Sequence, residues 1–171
     1  GIAHRLAAED ACQLSNRYPS DKYLLTAEQC SEALLTQVFS PRIAAPEVFR
    51  QFVYAWLTGN GDLHAKNLSI VENRKGQYEL SPIYDIPSTA PYGDKSMALL
   101  LSGKKDGLSR RRFLTFAHNI GVSSRVAEHV LEEVLTGTEH LAEQAREELP
   151  FDSHRMKELL KVLKNRRRSL L

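Results

Sequence analysis

The sequence predicts a mainly α-helical fold with one small β-hairpin. Apolar residues recur at helical spacing between capping residues over most of the chain. Two short strand-like runs, Leu68 to Val71 and Tyr78 to Leu80, flank the polar connection Glu72-Asn73-Arg74-Lys75-Gly76-Gln77. Composition agrees: 171 residues with 42% hydrophobic and 26% charged residues make an ordinary globular chain, able to bury on the order of 70% of its unfolded surface. No apolar run approaches the roughly 20 residues of a membrane span.

Each element has its own signal. Thr26-Ala27-Glu28-Gln29 has the capping-box form ahead of Leu34, Leu35, Val38 and Phe39, which places a helix at about 27 to 39, stopped by Ser40-Pro41. Pro46 suits the first position of a second helix, whose Phe49, Phe52, Val53, Trp56 and Leu57 form a core face until Gly59 supplies a left-handed cap. After the hairpin and Pro82 the chain loses periodicity until Met97 to Leu101, read as a short strand. Ser109 then caps a helix through Phe113, Leu114 and Phe116 to about Gly121. Ser123 or Ser124 caps a longer one reaching roughly Leu149 with a bend at Gly137, and Asp152 or Ser153 starts the last. No repeat or linker divides the chain, so residues 1–171 are expected to form a single unit, with a chemical segment at about 57–90 and a helical part at about 109–171.

Cys12 and Cys30 lack metal-ligand spacing and are read as buried free thiols. Gly1-Ile2-Ala3-His4 is neither basic nor followed by an apolar stretch, so no secretory signal is expected and a reducing, cytoplasmic setting is the default.

The segment LTGNGDLHAKNLSI, residues 57 to 70, concentrates Asn60, Asp62, His64, Lys66 and Asn67 just after the buried helix. Asp62 precedes Asn67 by five positions, the separation of the base and the metal-binding Asn in a protein-kinase catalytic loop. The hairpin and then Ser81-Pro82-Ile83-Tyr84-Asp85-Ile86 follow, putting a second carboxylate where a kinase has its metal-binding Asp. Phosphoryl transfer needs divalent cations held by hard oxygens such as Asn67 and Asp85, a cation such as Lys66 near the transferred group, and a base such as Asp62. Taken singly, Asp62, His64 and Asn67 fit a solvated turn equally well. Asp62-x-His64 could also begin a transition-metal site, although no third ligand stands at useful spacing.

Asn60-x-Asp62-x-His64-x-Lys66-Asn67 with Pro82-Ile83-Tyr84-Asp85-Ile86 resembles the signature of the HipA-like serine/threonine kinases, the toxin kinases of bacterial toxin–antitoxin modules. Glu9-Asp10-Ala11-Cys12-Gln13 with Lys22-Tyr23, and Met97-Ala98-Leu99 with Ser102-Gly103-Lys104, are similar to further family segments, and the likeness spans most of residues 5 to 110. The resemblance implies a kinase-like C-terminal lobe with Asp62 as catalytic base, Asn67 and Asp85 as magnesium ligands, and His64 and Lys66 as contacts to the ATP phosphates. It implies ATP as co-substrate, a protein substrate, an antitoxin partner, and DNA contact through that partner. Ile86-Pro87 stands where ordinary kinases have Phe-Gly. The N-terminal, mostly β lobe of such kinases, with its glycine-rich loop and nucleotide-binding lysine, has no counterpart before Asp62, so the chain reads as the C-terminal lobe alone. The alternative is a separated lobe that binds an antitoxin or DNA without catalysis.

Charge is uneven along the chain. Lys157, Lys161, Lys164, Arg166, Arg167 and Arg168 make the C-terminus basic, while Glu128, Glu132, Glu133, Glu139, Glu143, Glu147 and Glu148 make the preceding region acidic. Antiparallel packing with facing charges is the plain expectation, and a nucleic-acid surface the alternative. Lys104, Lys105, Arg110, Arg111 and Arg112 form a second basic cluster, placed to line a phosphate approach. His118, His129, His140 and His154 are expected on helix surfaces.

Overall fold

Helices wrap a small antiparallel sheet in the computed structural model, which describes residues 6–171. The opening segment Gly1-Ile2-Ala3-His4 lies outside the described residues. Strand β1 (Ala8–Asp10) pairs with β2 (Ser69–Glu72), and β2 with β3 (Tyr78–Leu80), so the expected hairpin gains a third strand. The register sets Glu9 opposite Ile70 and Ile70 opposite Leu80. From sequence, residues 1–57 read as helices, and β1 departs from that reading. β1 has three residues and no alternation of its own, and pairing with β2 is what makes it a strand.

Asp10 ends β1 and begins α1 (Ala11–Leu14), its carboxylate accepting from Gln13 N while Gln13 Oε1 accepts from Asp10 N. The predicted capping box of Thr26 and Gln29 opens α2 (Ala27–Leu35). That helix stops short of Phe39, because Gln37 N and Val38 N both turn back to Leu34 O and Phe39 N donates to Tyr78 O on β3. Pro41, not Pro46, is the first residue of α3 (Pro41–Thr58). Pro46 sits inside it as the sixth residue, where the N–H that would bond Arg42 O is lost, a cost offset by burial of the helix face carrying Phe49, Phe52 and Val53.

Helix α3 is the central element. Phe49, Phe52, Val53 and Trp56 are almost wholly buried and meet α4 (Arg110–Asn119), with Phe52 and Phe116 edge to face at 5.0 Å between ring centres. The predicted 124–149 helix is two, α5 (Ser124–Gly137) and α6 (Leu141–Glu148). The break follows Gly137, where Thr138 Oγ1 donates to Val134 O at 2.7 Å and ends the first helix. Met97 to Leu101 buries Met97, Leu99 and Leu101 as a strand would, yet it makes only isolated bridges from Leu100 to Thr26 and from Leu101 to Lys104. It lies beside the N-terminus of α2, and among the described residues no strand runs alongside it.

The last helix, α7 (Ser153–Leu170), is tied down by Arg166. Its guanidinium lies 4.1 Å over the Trp56 ring and donates to Trp56 O at 2.9 Å and Lys95 O at 2.5 Å. Burial lowers its pKa to about 10. The acidic helix α6 packs against α7, but among the described residues no carboxylate of α5 or α6 pairs with a cation of α7: Glu133 pairs with Arg50 on α3, and Glu128 and Glu132 with Arg110 on α4. Geometry explains this, since the acidic face of α5 turns toward α3 and α4. No described helix is long and apolar enough to cross a membrane. Cys12 and Cys30 are buried free thiols, and burial pushes the Cys30 thiol up to about 12.

Candidate active site

The polar loop after α3 is held from both sides. Gly59 takes the predicted left-handed conformation at φ 75°, and Asn60 N returns to Ala55 O at 2.9 Å. Asn60 is fully buried and its Oδ1 accepts from Asp62 N at 2.8 Å, an Asx turn that leaves the Asp62 side chain partly exposed. Gly61 N donates to Thr89 Oγ1 at 2.8 Å. A Cβ on Gly61 would come within 2.4 Å of that oxygen and 2.6 Å of Ser96 O, so this position requires glycine by close approach.

From Asp62 onward apolar and polar side chains share the turn. Leu63, Ala65 and Leu68 enter the core, and the short 3-10 turn Ala65–Asn67 sets Asn67 N on His64 O at 2.9 Å. Asn67 is nearly buried, its Nδ2 donating to Asp62 O at 3.2 Å and to Asp85 Oδ2 at 3.1 Å. Asp85 arrives from the far side of the β2–β3 hairpin, exposed and at φ 53°. Tyr84 anchors it by donating to Lys66 O at 2.7 Å, and its hydroxyl also lies 3.1 Å from Ser69 Oγ.

The structure therefore brings Asp62, Asn67 and Asp85 to one edge, with His64 Nε2 4.0 Å from Asp62 Oδ1. Lys66 is turned aside and pairs with Asp10 Oδ2 at 3.1 Å. Three further participants, Asp10, Lys22 and Tyr23, come from the two upstream segments that resemble the family but had no role assigned to them. The Tyr23 hydroxyl donates to Asp62 Oδ1 at 2.8 Å, and this bond raises the Tyr23 pKa. Lys22 Nζ lies 2.8 Å from His64 Nε2. An ammonium only donates, so Nε2 must accept and the imidazole proton sits on Nδ1, which is buried without a partner. Burial, and then the Lys22 charge, lower the His64 pKa below its ordinary 6.5.

Asn67 and Asp85 offer hard oxygens, the donor type magnesium takes, but among the described residues no three His, Cys, Asp or Glu side chains gather as a metal cage. A cation here would complete its shell with water and phosphate oxygens, as magnesium usually does. The same finding leaves a transition-metal site on Asp62 and His64 without a third protein ligand of these types. The edge is open. A cleft of about 680 Å³ between α3, β3 and α5 lies to one side of it, lined by Phe39, Ile43 and Ile83 but by none of the polar cluster.

This chain resembles known proteins in sequence and in fold. The family described as the HipA-like C-terminal domain matches residues 2–142. A Haemophilus influenzae protein named as a candidate kinase is 26% identical over 145 residues, covering 72% of this chain and 42% of that protein. A second candidate kinase, Y4mE of Sinorhizobium fredii, is 31% identical over 130 residues, covering 71% of this chain and 31% of its own length. The chain thus spans well under half of these relatives. A chain in the solved complex of the Shewanella oneidensis toxin–antitoxin system HipA, HipB and its operator DNA shares the fold, with a TM-score of 0.74 at 19% identity over 94% of this chain and 44% of that one.

Proposed function

The chain belongs to the HipA-like C-terminal domain family, and from that premise we propose that it is the catalytic lobe of an ATP- and magnesium-dependent serine/threonine protein kinase of a toxin–antitoxin pair. The reaction moves the ATP γ-phosphoryl group to a protein hydroxyl: the new oxygen–phosphorus bond forms as the bond to the β-phosphate oxygen breaks, and ADP leaves. The observation that carries the reading is the meeting of Asn67 and Asp85 at 3.1 Å beside Asp62.

Asn67 and Asp85 would hold magnesium, which would supply positive charge to offset that of the phosphates. Asn67 keeps Nδ2 on Asp62 O, and its Oδ1 would serve as the ligand, so one side chain would space the base from the metal edge. Asp62 accepts the substrate hydroxyl proton, and Tyr23 holds one of its oxygens, leaving the other for that proton. His64 stays neutral and acts toward phosphate through Lys22, whose ammonium its Nε2 holds, because its own Nδ1–H is buried. Lys66 supplies positive charge after leaving Asp10.

The test uses the longer protein that contains this lobe. Asp62→Asn keeps shape and removes the base, so nucleotide binding should persist while transfer to protein slows by roughly 100-fold or more. Near-normal turnover would overturn the assignment. The second reading is a lobe that engages an antitoxin or DNA without chemistry, favoured by the exposed Lys104 and the basic α7. On that reading Asp62→Asn changes nothing measurable, and charge reversal on α7 abolishes assembly.

A further inference from the structure

A second concavity, an open cleft of about 490 Å³, lies between α6 and α7, over the end of α3. Its floor is apolar, made by Leu57, Leu141, Ala142, Leu160 and Leu163. Its rim is cationic: Arg146, Lys157, Lys161, Lys164 and Arg167 line it against a single carboxylate, Glu139. Acidic side chains nearby are engaged elsewhere, Glu158 by Lys95 and Glu143 by His140. Among the described residues, none of the five rim cations pairs with a carboxylate; Arg167 donates to Leu135 O at 2.7 Å, and the other four are exposed.

We propose that this cleft docks an acidic amphipathic helix of a partner protein. Lys157, Lys161 and Lys164 stand at i, i+4 and i+7 along α7, on one face, spread over about 10 Å of helix length. A helix laid beside α7 presents carboxylates at the same spacing, while its own i, i+3, i+4 leucines fill the floor between Leu160 and Leu141. Cations placed around an apolar floor favour this occupant over a nucleic acid, whose backbone would meet the rim but leave the leucines uncovered and whose bases find no aromatic lining residue to stack on. Concavity disfavours a flat membrane surface.

The docking does not depend on phosphoryl transfer, and its test does not read it. The probe is a fluorescein-labelled synthetic helix with a Leu stripe at i, i+3, i+4, i+7 flanked by Glu, read by anisotropy with the purified chain. A scrambled peptide of identical composition and a duplex oligonucleotide serve as competitors. The striped peptide should bind, weaken as salt rises, and lose about tenfold or more in affinity on Lys161→Glu with Lys164→Glu. Leu160→Ser should weaken it by a similar factor with little effect on salt dependence. Both sites are at least partly exposed, and an unchanged thermal transition shows that the variants fold. Equal binding of striped and scrambled peptides, indifference to charge reversal, or displacement by the oligonucleotide at lower concentration than by the striped peptide would each overturn the proposal.

Discussion

The Asn67 amide nitrogen lies 3.1 Å from the Asp85 carboxylate across 18 positions of sequence, with the whole β2–β3 hairpin between them. The two residues are unequal in cost to change. Asn67 is nearly buried, whereas Asp85 is exposed at φ 53°, a conformation that Asn also tolerates. Asp85→Asn should therefore unfold within a few degrees of the parent, while metal-dependent transfer by the longer protein is lost. Asn67→Ala should lose the same activity and also about 1–2 kcal/mol of stability, because a buried amide and its two hydrogen bonds disappear. Thermal melts and a phosphate-transfer assay on both variants separate these outcomes; retained transfer in Asp85→Asn would count against its role as metal ligand.

The open edge has a consequence for the chain by itself. Nothing described covers Asp62, Asn67 and Asp85 as an enclosing wall, so water reaches any phosphate bound there and weakens each electrostatic contact. The 171-residue chain should unfold cooperatively on heating, since each helix buries an apolar face, but should bind Mg-ATP weakly by calorimetry, with a Kd of about 1 mM or weaker. It should transfer no radiolabel until an N-terminal lobe is supplied. Efficient transfer by this chain, lost in Asp62→Asn, would mean that a smaller nucleotide site suffices.

His64 links the site to pH. Its folded pKa is below the unfolded value of 6.5, so the neutral form favours the folded state. That stability is fully present above pH 6.5 and is lost as pH falls through the folded pKa. Its imidazole signal should titrate below pH 6.5 by NMR, and Lys22→Met should raise its midpoint, because the neighbouring ammonium no longer opposes the imidazolium. Burial is the larger cause, so the shift should be reversed only in part. A His64 midpoint unchanged by Lys22→Met would show that the pair at 2.8 Å is not formed in solution.

Arg166 should matter more to stability than any surface ion pair. It is buried, stacked on Trp56 and bonded to two carbonyls, one on α3 and one in the segment before α4. Arg166→Ala should cost about 3 kcal/mol, since it leaves a void beside Trp56 and removes two hydrogen bonds from a buried guanidinium. Arg155→Ala, which breaks the exposed pair with Asp152 and the exposed contact over the Tyr92 ring, should stay within about 1 kcal/mol. Urea denaturation of the two variants measures the difference, and equal midpoints would show that Arg166 does not anchor α7.

What the sequence by itself determined were features whose cause is local. The capping box at Thr26, the left-handed Gly59, the polar turn between β2 and β3, and the five-position spacing of Asp62 and Asn67 each follow from a few adjacent side chains and their allowed backbone angles. The approach of Asp85 was legible for the same reason, because a hairpin between the two residues brings their flanks together. Where local signals competed, the reading slipped: Pro41 and Pro46 both suit a helix start, and Gly137 permits a bend or a break. Only the tertiary structure decided that Tyr23 reaches Asp62 over 39 positions, that Lys22 meets His64 over 42, and that Lys66 turns to Asp10 over 56. It also made a strand of Ala8–Asp10 and buried Arg166 against Trp56. Such contacts have no sequence period, because they depend on which faces pack together once the core has formed, and that choice belongs to the whole chain.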